Sequence, residues 1–119
     1  MSSVYVDTSS LVKFYYPEAG SDGIETILLN ADRIFISHLT VVEMASALSK
    51  KLRMGDLKKE KEVVLWNTFL DDMQTEKIEL ISLEERHYLK AADFIRKFGG
   101  KHCIKTLDAL HLSIAHGLY

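Results

Sequence analysis

The chain has 119 residues, 47% of them apolar and 27% charged, with one proline and six glycines; this is one ordinary domain's worth and excludes a disordered or collagen-like chain. Fifteen Lys and Arg against 17 Asp and Glu leave a net charge of −2, so the chain lacks the basic excess of a protein held to nucleic acid mainly through phosphate contacts. No apolar run approaches the roughly 18 residues that span a bilayer, and Met1 to Thr8 carries no signal-peptide pattern, so a cytoplasmic protein away from membranes is expected.

The first predicted element is a strand at Val4-Tyr5-Val6, followed by a helix from about Ser9 to Tyr16 that Pro17 and Gly20 close. Ser21 to Leu29 reads as a second helix with Ile24, Ile27 and Leu28 on one face. Ile34-Phe35-Ile36-Ser37 is a second strand. A helix from Thr40 to about Met54 carries Val41, Ala45, Leu48 and Leu52 in helical register and is stopped by Gly55. Asp56 is expected to cap the next helix, which runs to about Met73 with Val63, Trp66, Phe69, Leu70 and Met73 as its apolar stripe. Ile78 to Ile81 is a third strand. Ser82 with Glu85 forms a predicted capping box for a helix from about Leu83 to Phe98, ended by Gly99-Gly100. Thr106 opens the last helix, with Leu110, Ile114 and Leu118 as its apolar positions. The lone cysteine, Cys103, forbids an internal disulfide and a cysteine zinc cage, and is expected to be buried.

Strands separated by helices imply parallel pairing through right-handed crossovers, an α/β fold with helices on both faces of the sheet. Three strands are few for such a sheet. Two readings stand: the chain is truncated at its C-terminus, or it is a small protein whose sheet edge is protected by dimerisation.

Three acids carry the candidate chemistry. Asp7 directly follows the first strand, at the edge where open α/β sheets place ligand sites, though an Asp there can also cap a helix. Glu43 lies three residues after Thr40, and a Thr40–Glu43 capping box would account for it. Asp108 falls in the first turn of the last helix, where the helix dipole favours an acid. Strand-to-helix turns of a parallel sheet emerge on one side, so Asp7 and Glu43 are expected to converge there with Asp108 joining them. Convergent carboxylates need a divalent cation, and oxygen ligands suit Mg²⁺ or Mn²⁺, which activate water in phosphodiester hydrolysis.

The opening Val6-Asp7-Thr8-Ser9-Ser10-Leu11-Val12-Lys13, the segment Thr40-Val41-Val42-Glu43-Met44-Ala45-Ser46-Ala47-Leu48 and the segment Thr106-Leu107-Asp108-Ala109-Leu110-His111-Leu112 resemble the PIN domain, specifically the VapC-type toxin ribonucleases. The resemblance implies a three-layer α/β/α fold and a Mg²⁺- or Mn²⁺-dependent endoribonuclease, the toxin of a toxin–antitoxin pair. It also implies an RNA substrate, a homodimer and a VapB-like antitoxin that inserts a peptide into the acidic pocket. By position Asp7, Glu43 and Asp108 match the family's catalytic and metal-binding acids, and Ser9 matches a hydroxyl that supports the first Asp. The family's fourth acid lies on a further strand that this chain does not reach, so residues 1–119 are expected to be a single PIN-like domain lacking its final strand unit.

Other candidates fare worse. The five histidines form no His-Glu-x-x-His zinc motif, and no phosphate loop of the Gly-x-x-x-x-Gly-Lys type is present. Clusters at Lys50, Lys51 and Arg53, at Lys58, Lys59 and Lys61, and at Lys101 and Lys105 read first as solvated faces. The rival function is a non-catalytic PIN-like module that dimerises or holds an antitoxin; a phosphoacceptor receiver domain is disfavoured, because the first strand lacks paired acids.

Overall fold

The computed structural model of the protein describes residues 2–18 and 21–118. The expected role of Gly20 in closing the first helix, and the inward placement of the Leu118 side chain, lie outside what it describes. In chain order the elements are β1 (Ser3–Tyr5), α1 (Thr8–Tyr15), α2 (Ser21–Asn30), β2 (Arg33–Ser37), α3 (His38–Arg53), α4 (Lys59–Gln74), β3 (Glu79–Ile81), α5 (Glu85–Phe98) and α6 (Thr106–Leu118). Every expected strand and helix is present, and the class is the α/β fold with a parallel sheet. The sheet order is β1-β2-β3, and β1 pairs parallel with β2 in the register Ser3↔Arg33, Val4↔Ile34, Tyr5↔Phe35.

Two compact units divide the chain, Met1–Leu80 and Ile81–Tyr119. The first is built around Val6, Leu11, Val12, Leu28, Ile36, Met44, Leu48, Leu57, Leu65, Phe69 and Ile78. Tyr15 and Trp66 each meet Phe69 edge-on, with ring centroids 5.6 Å apart in both pairs, a favoured aromatic geometry. Across the first unit Tyr15 Oη donates to Asp72 Oδ2 at 2.6 Å. Burial pushes the Tyr15 phenol well above the usual tyrosine range, and its bond to Asp72 pushes the same way. On the sheet, Arg33 of β2 makes a two-pronged ion pair with Glu79 of β3, Nε to Oε2 at 2.9 Å and Nη2 to Oε1 at 2.7 Å. In the second unit α5 and α6 pack together, and Ala91, Ala109, Leu110 and Ile114 are buried.

Several helix starts differ from expectation, and the reason is competition among potential caps. Ser37, not Thr40, caps α3: its side chain accepts from the Leu39 N–H at 3.0 Å. Thr40 is fully buried inside the helix. Lys58 stands at the N-cap of α4 with no side-chain bond, so Asp56 caps nothing there. At α5 the cap is Glu84, two residues after Ser82, and His87 completes the box by accepting the Glu84 N–H on Nδ1 at 2.9 Å. The expected stop at Gly55 holds, with φ +77 supplying the left-handed turn that glycine tolerates. At Gly99, the C-cap of α5, glycine is favoured for another reason: a Cβ there would lie 2.5 Å from the Ile95 carbonyl oxygen.

Some apolar positions also move. Ile27, Val63 and Leu70 are exposed, whereas Met44 and Leu65 are buried in the first unit's core. Ala45 is exposed, and so is Cys103, contrary to the usual burial of a lone thiol.

Candidate active site

Asp7 owes its place to strand alternation. The Val6 side chain is buried and its N–H donates to the Phe35 carbonyl at 2.9 Å, so strand geometry persists past the end of β1, and Tyr5 and Asp7, two apart, share a side. Asp7 is extended, with φ −78 and ψ 169, and caps α1. Its Oδ1 accepts both the Ser10 N–H at 3.0 Å and the Ser9 hydroxyl at 3.2 Å. Asp7 is therefore a helix cap at the carboxyl end of β1, and the capping reading and the ligand-edge reading describe the same residue.

Glu43 is different, because the capping box that would have explained it does not form. With α3 starting at His38, Glu43 is its sixth residue and lies beyond the N3 position. Its Oε1 accepts the Thr8 hydroxyl at 2.8 Å, and Thr8 Oγ1 also lies 3.4 Å from Thr40 Oγ1. Thr8 directly follows Asp7, so α1 delivers one carboxylate at its cap and a hydroxyl for the second at its first residue.

Tyr5 completes this corner. Burial holds its phenol well above the usual tyrosine range; a hydrogen bond with Ser37 works against that, and the Glu43 and Asp7 charges reinforce it. The geometric link between the two carboxylates is Thr8, which follows Asp7 in the chain and donates to Glu43, so both lie at the start of α1. Tyr5, Thr8 and Thr40 were not singled out from sequence. Alternation with Asp7 could have flagged Tyr5, but nothing local distinguishes Thr8 from any other hydroxyl in a first helical turn.

Asp108 belongs to the second unit, where it is an exposed acid in the first turn of α6. Among the described residues no group of three or more His, Cys, Asp or Glu side chains is gathered closely enough to hold a metal ion. The corner in the first unit thus presents two carboxylates. That donor set is all hard oxygen and fits Mg²⁺ or Mn²⁺, since such ions are commonly held by one or two carboxylates with water and phosphate oxygens completing the shell.

Charge is unevenly shared along the chain. Residues 81–119 hold six of the 15 Lys and Arg, four of the five His and only four of the 17 Asp and Glu, a cationic surplus of the kind that favours a polyanion. Lys50, Lys51 and Arg53 fall in the last turn of α3, where the helix dipole favours cations, and Lys51 lies 4.4 Å from the Tyr16 ring centroid. Lys51 thus has a local structural partner. His87 and His111 are buried. No helix among the described residues is long and apolar enough to cross a membrane.

Compared with known protein families, residues 4–118 match the PIN domain. Among curated proteins none matches the chain.

Proposed function

The chain belongs to the PIN domain family, whose function is of nuclease type, and on that premise we propose that it is a metal-dependent endoribonuclease. Asp7 and Glu43 are the ligands of Mg²⁺ or Mn²⁺ at this corner, and Ser9 holds Asp7 in place; Asp108 is assigned as a further catalytic acid on its sequence motif alone. A divalent cation at this corner supplies Lewis acidity and charge neutralisation for phosphodiester hydrolysis. The protein's own contribution is to hold the acids ready: Asp7 is fixed by two hydrogen bonds on Oδ1, and Glu43 by one from Thr8.

The observation that carries this reading is the position of Glu43. Its carboxylate is half-buried, takes no part in capping α3, and is tied by Thr8 to the helix start that Asp7 caps, so two hard oxygen donors stand at one strand end, as a divalent cation requires. The cationic surplus of residues 81–119 supports RNA as the substrate. We further assign the chain the toxin role in a cytoplasmic toxin–antitoxin pair, as a homodimer whose activity is held by a VapB-like antitoxin peptide at the acidic corner. The sequence motifs around Asp7, Glu43 and Asp108 support that finer assignment.

The test is cleavage of single-stranded RNA with Mn²⁺ by the wild-type chain and by Asp7→Asn. Wild-type cleavage that is lost in the mutant, with the fold intact by circular dichroism, is the expected result. Equal cleavage by both proteins contradicts the proposal. Tight binding of a partner with no cleavage at any metal concentration replaces the nuclease with a binding module.

A further inference from the structure

We propose that Thr8 is a positioning residue that sets Glu43 for cation binding; the inference rests on the metal-dependent reading above. Thr8 is the first residue of α1, and Asp7, its neighbour, is locked as the cap. As a β-branched residue at the start of a helix it has few side-chain rotamers, and the observed one puts Oγ1 2.8 Å from Glu43 Oε1 and 3.4 Å from Thr40 Oγ1.

A hydroxyl has a single proton to give. The shorter contact is to the carboxylate, where the bond is charge-assisted, so Thr8 donates to Glu43. The contact with the buried Thr40 hydroxyl is longer and correspondingly weaker. Thr40 and Glu43 are three residues apart on α3 and so share a face, and Thr8 reaches that face from α1.

This linkage adds little to the fold. α1 and α3 already pack directly, with Leu11, Val12, Met44 and Leu48 in one apolar cluster. Its effect falls on the carboxylate. A glutamate on a long flexible stem loses rotamer freedom when it captures a cation, and one already tethered through Oε1 loses less. Outer partners of metal-ligating groups typically change metal affinity 10- to 100-fold when removed.

The test is a Mn²⁺ titration of the whole chain by calorimetry, with thermal unfolding in parallel, on wild type, Asp7→Asn, Thr8→Val and Thr8→Ser. Thr8→Val keeps the shape and removes the hydroxyl; it is expected to weaken Mn²⁺ binding by about tenfold or more with only a small fall in melting temperature. Thr8→Ser restores the hydroxyl and is expected to bind like wild type. If Thr8→Val loses helical signal, Thr8→Ala takes its place with the same expected loss. Wild-type affinity in Thr8→Val, or equal loss in Thr8→Val and Thr8→Ser, overturns this inference alone, provided Asp7→Asn abolishes binding. Absence of binding in the wild type as well as in Asp7→Asn overturns the metal reading, and this inference falls with it.

Discussion

Glu43 in the first unit and Glu84 in the second both lie near the start of a helix, and sequence pattern suggests a capping task for Glu43 and none for Glu84. The structure reverses the two. Glu84 is the N-cap of α5, boxed with His87, and Arg86 pairs with its carboxylate at 2.6 Å and holds it below the usual carboxylate range. Glu43 is removed from any cap because α3 begins two residues before Thr40, and its carboxylate instead meets Thr8 across 35 positions of sequence. A glutamate bonded within its own turn is explained by its helix. One held by a distant hydroxyl beside a second carboxylate is not, and that difference separates a cap from a candidate ligand.

The harshest way to break the comparison is to remove the ground on which Glu43 stands. Phe69 is buried in the first unit against Tyr15 and Trp66, and Phe69→Ala is expected to cost about 3–5 kcal/mol, read as a lower denaturant midpoint with Mn²⁺ binding lost alongside. Asp7→Asn is expected to be more selective. It should weaken Mn²⁺ binding by more than the roughly 100-fold seen for outer partners, with only a small change in melting temperature, since the amide oxygen can still accept the Ser10 N–H.

Alkaline pH sharpens the contrast from another side. Tyr5 and Tyr15 both titrate higher in the folded chain than their ordinary value near 10, so above about pH 10 the unfolded chain releases these protons first. Stability is therefore complete below about pH 10 and falls as the pH rises beyond it. Tyr15→Phe should remove part of that slope, checked by denaturant unfolding at pH 8, 10 and 11; an unchanged slope would show that Tyr15 is not responsible. The smallest effect is expected at α5, where Glu84→Ala removes the exposed cap side chain and should cost about 1 kcal/mol with Mn²⁺ affinity untouched.

The order of elements, the parallel α/β class and the position of Asp7 were legible in the sequence, because β-branched runs, helical periodicity and Gly55 act over several residues at once. Helix starts were less so. Ser37 and Thr40, Asp56 and Lys58, or Ser82 and Glu84 each offer more than one possible first residue, and the choice falls to tertiary contacts: Thr40 is fully buried within α3 and lies against Thr8 of α1. That decision depends on residues distant in sequence, and the task of Glu43 depends on it in turn. Thr8 was invisible for the same reason, since its partner arrives only when α1 and α3 pack.

The most direct test of the account is a Mn²⁺ titration of the wild-type chain beside Glu43→Gln and Glu84→Gln. Saturable binding that disappears in Glu43→Gln and survives in Glu84→Gln is the predicted result. Equal binding in all three, equal loss in both variants, or no saturable binding in the wild type would contradict the assignment of Glu43 to a metal site.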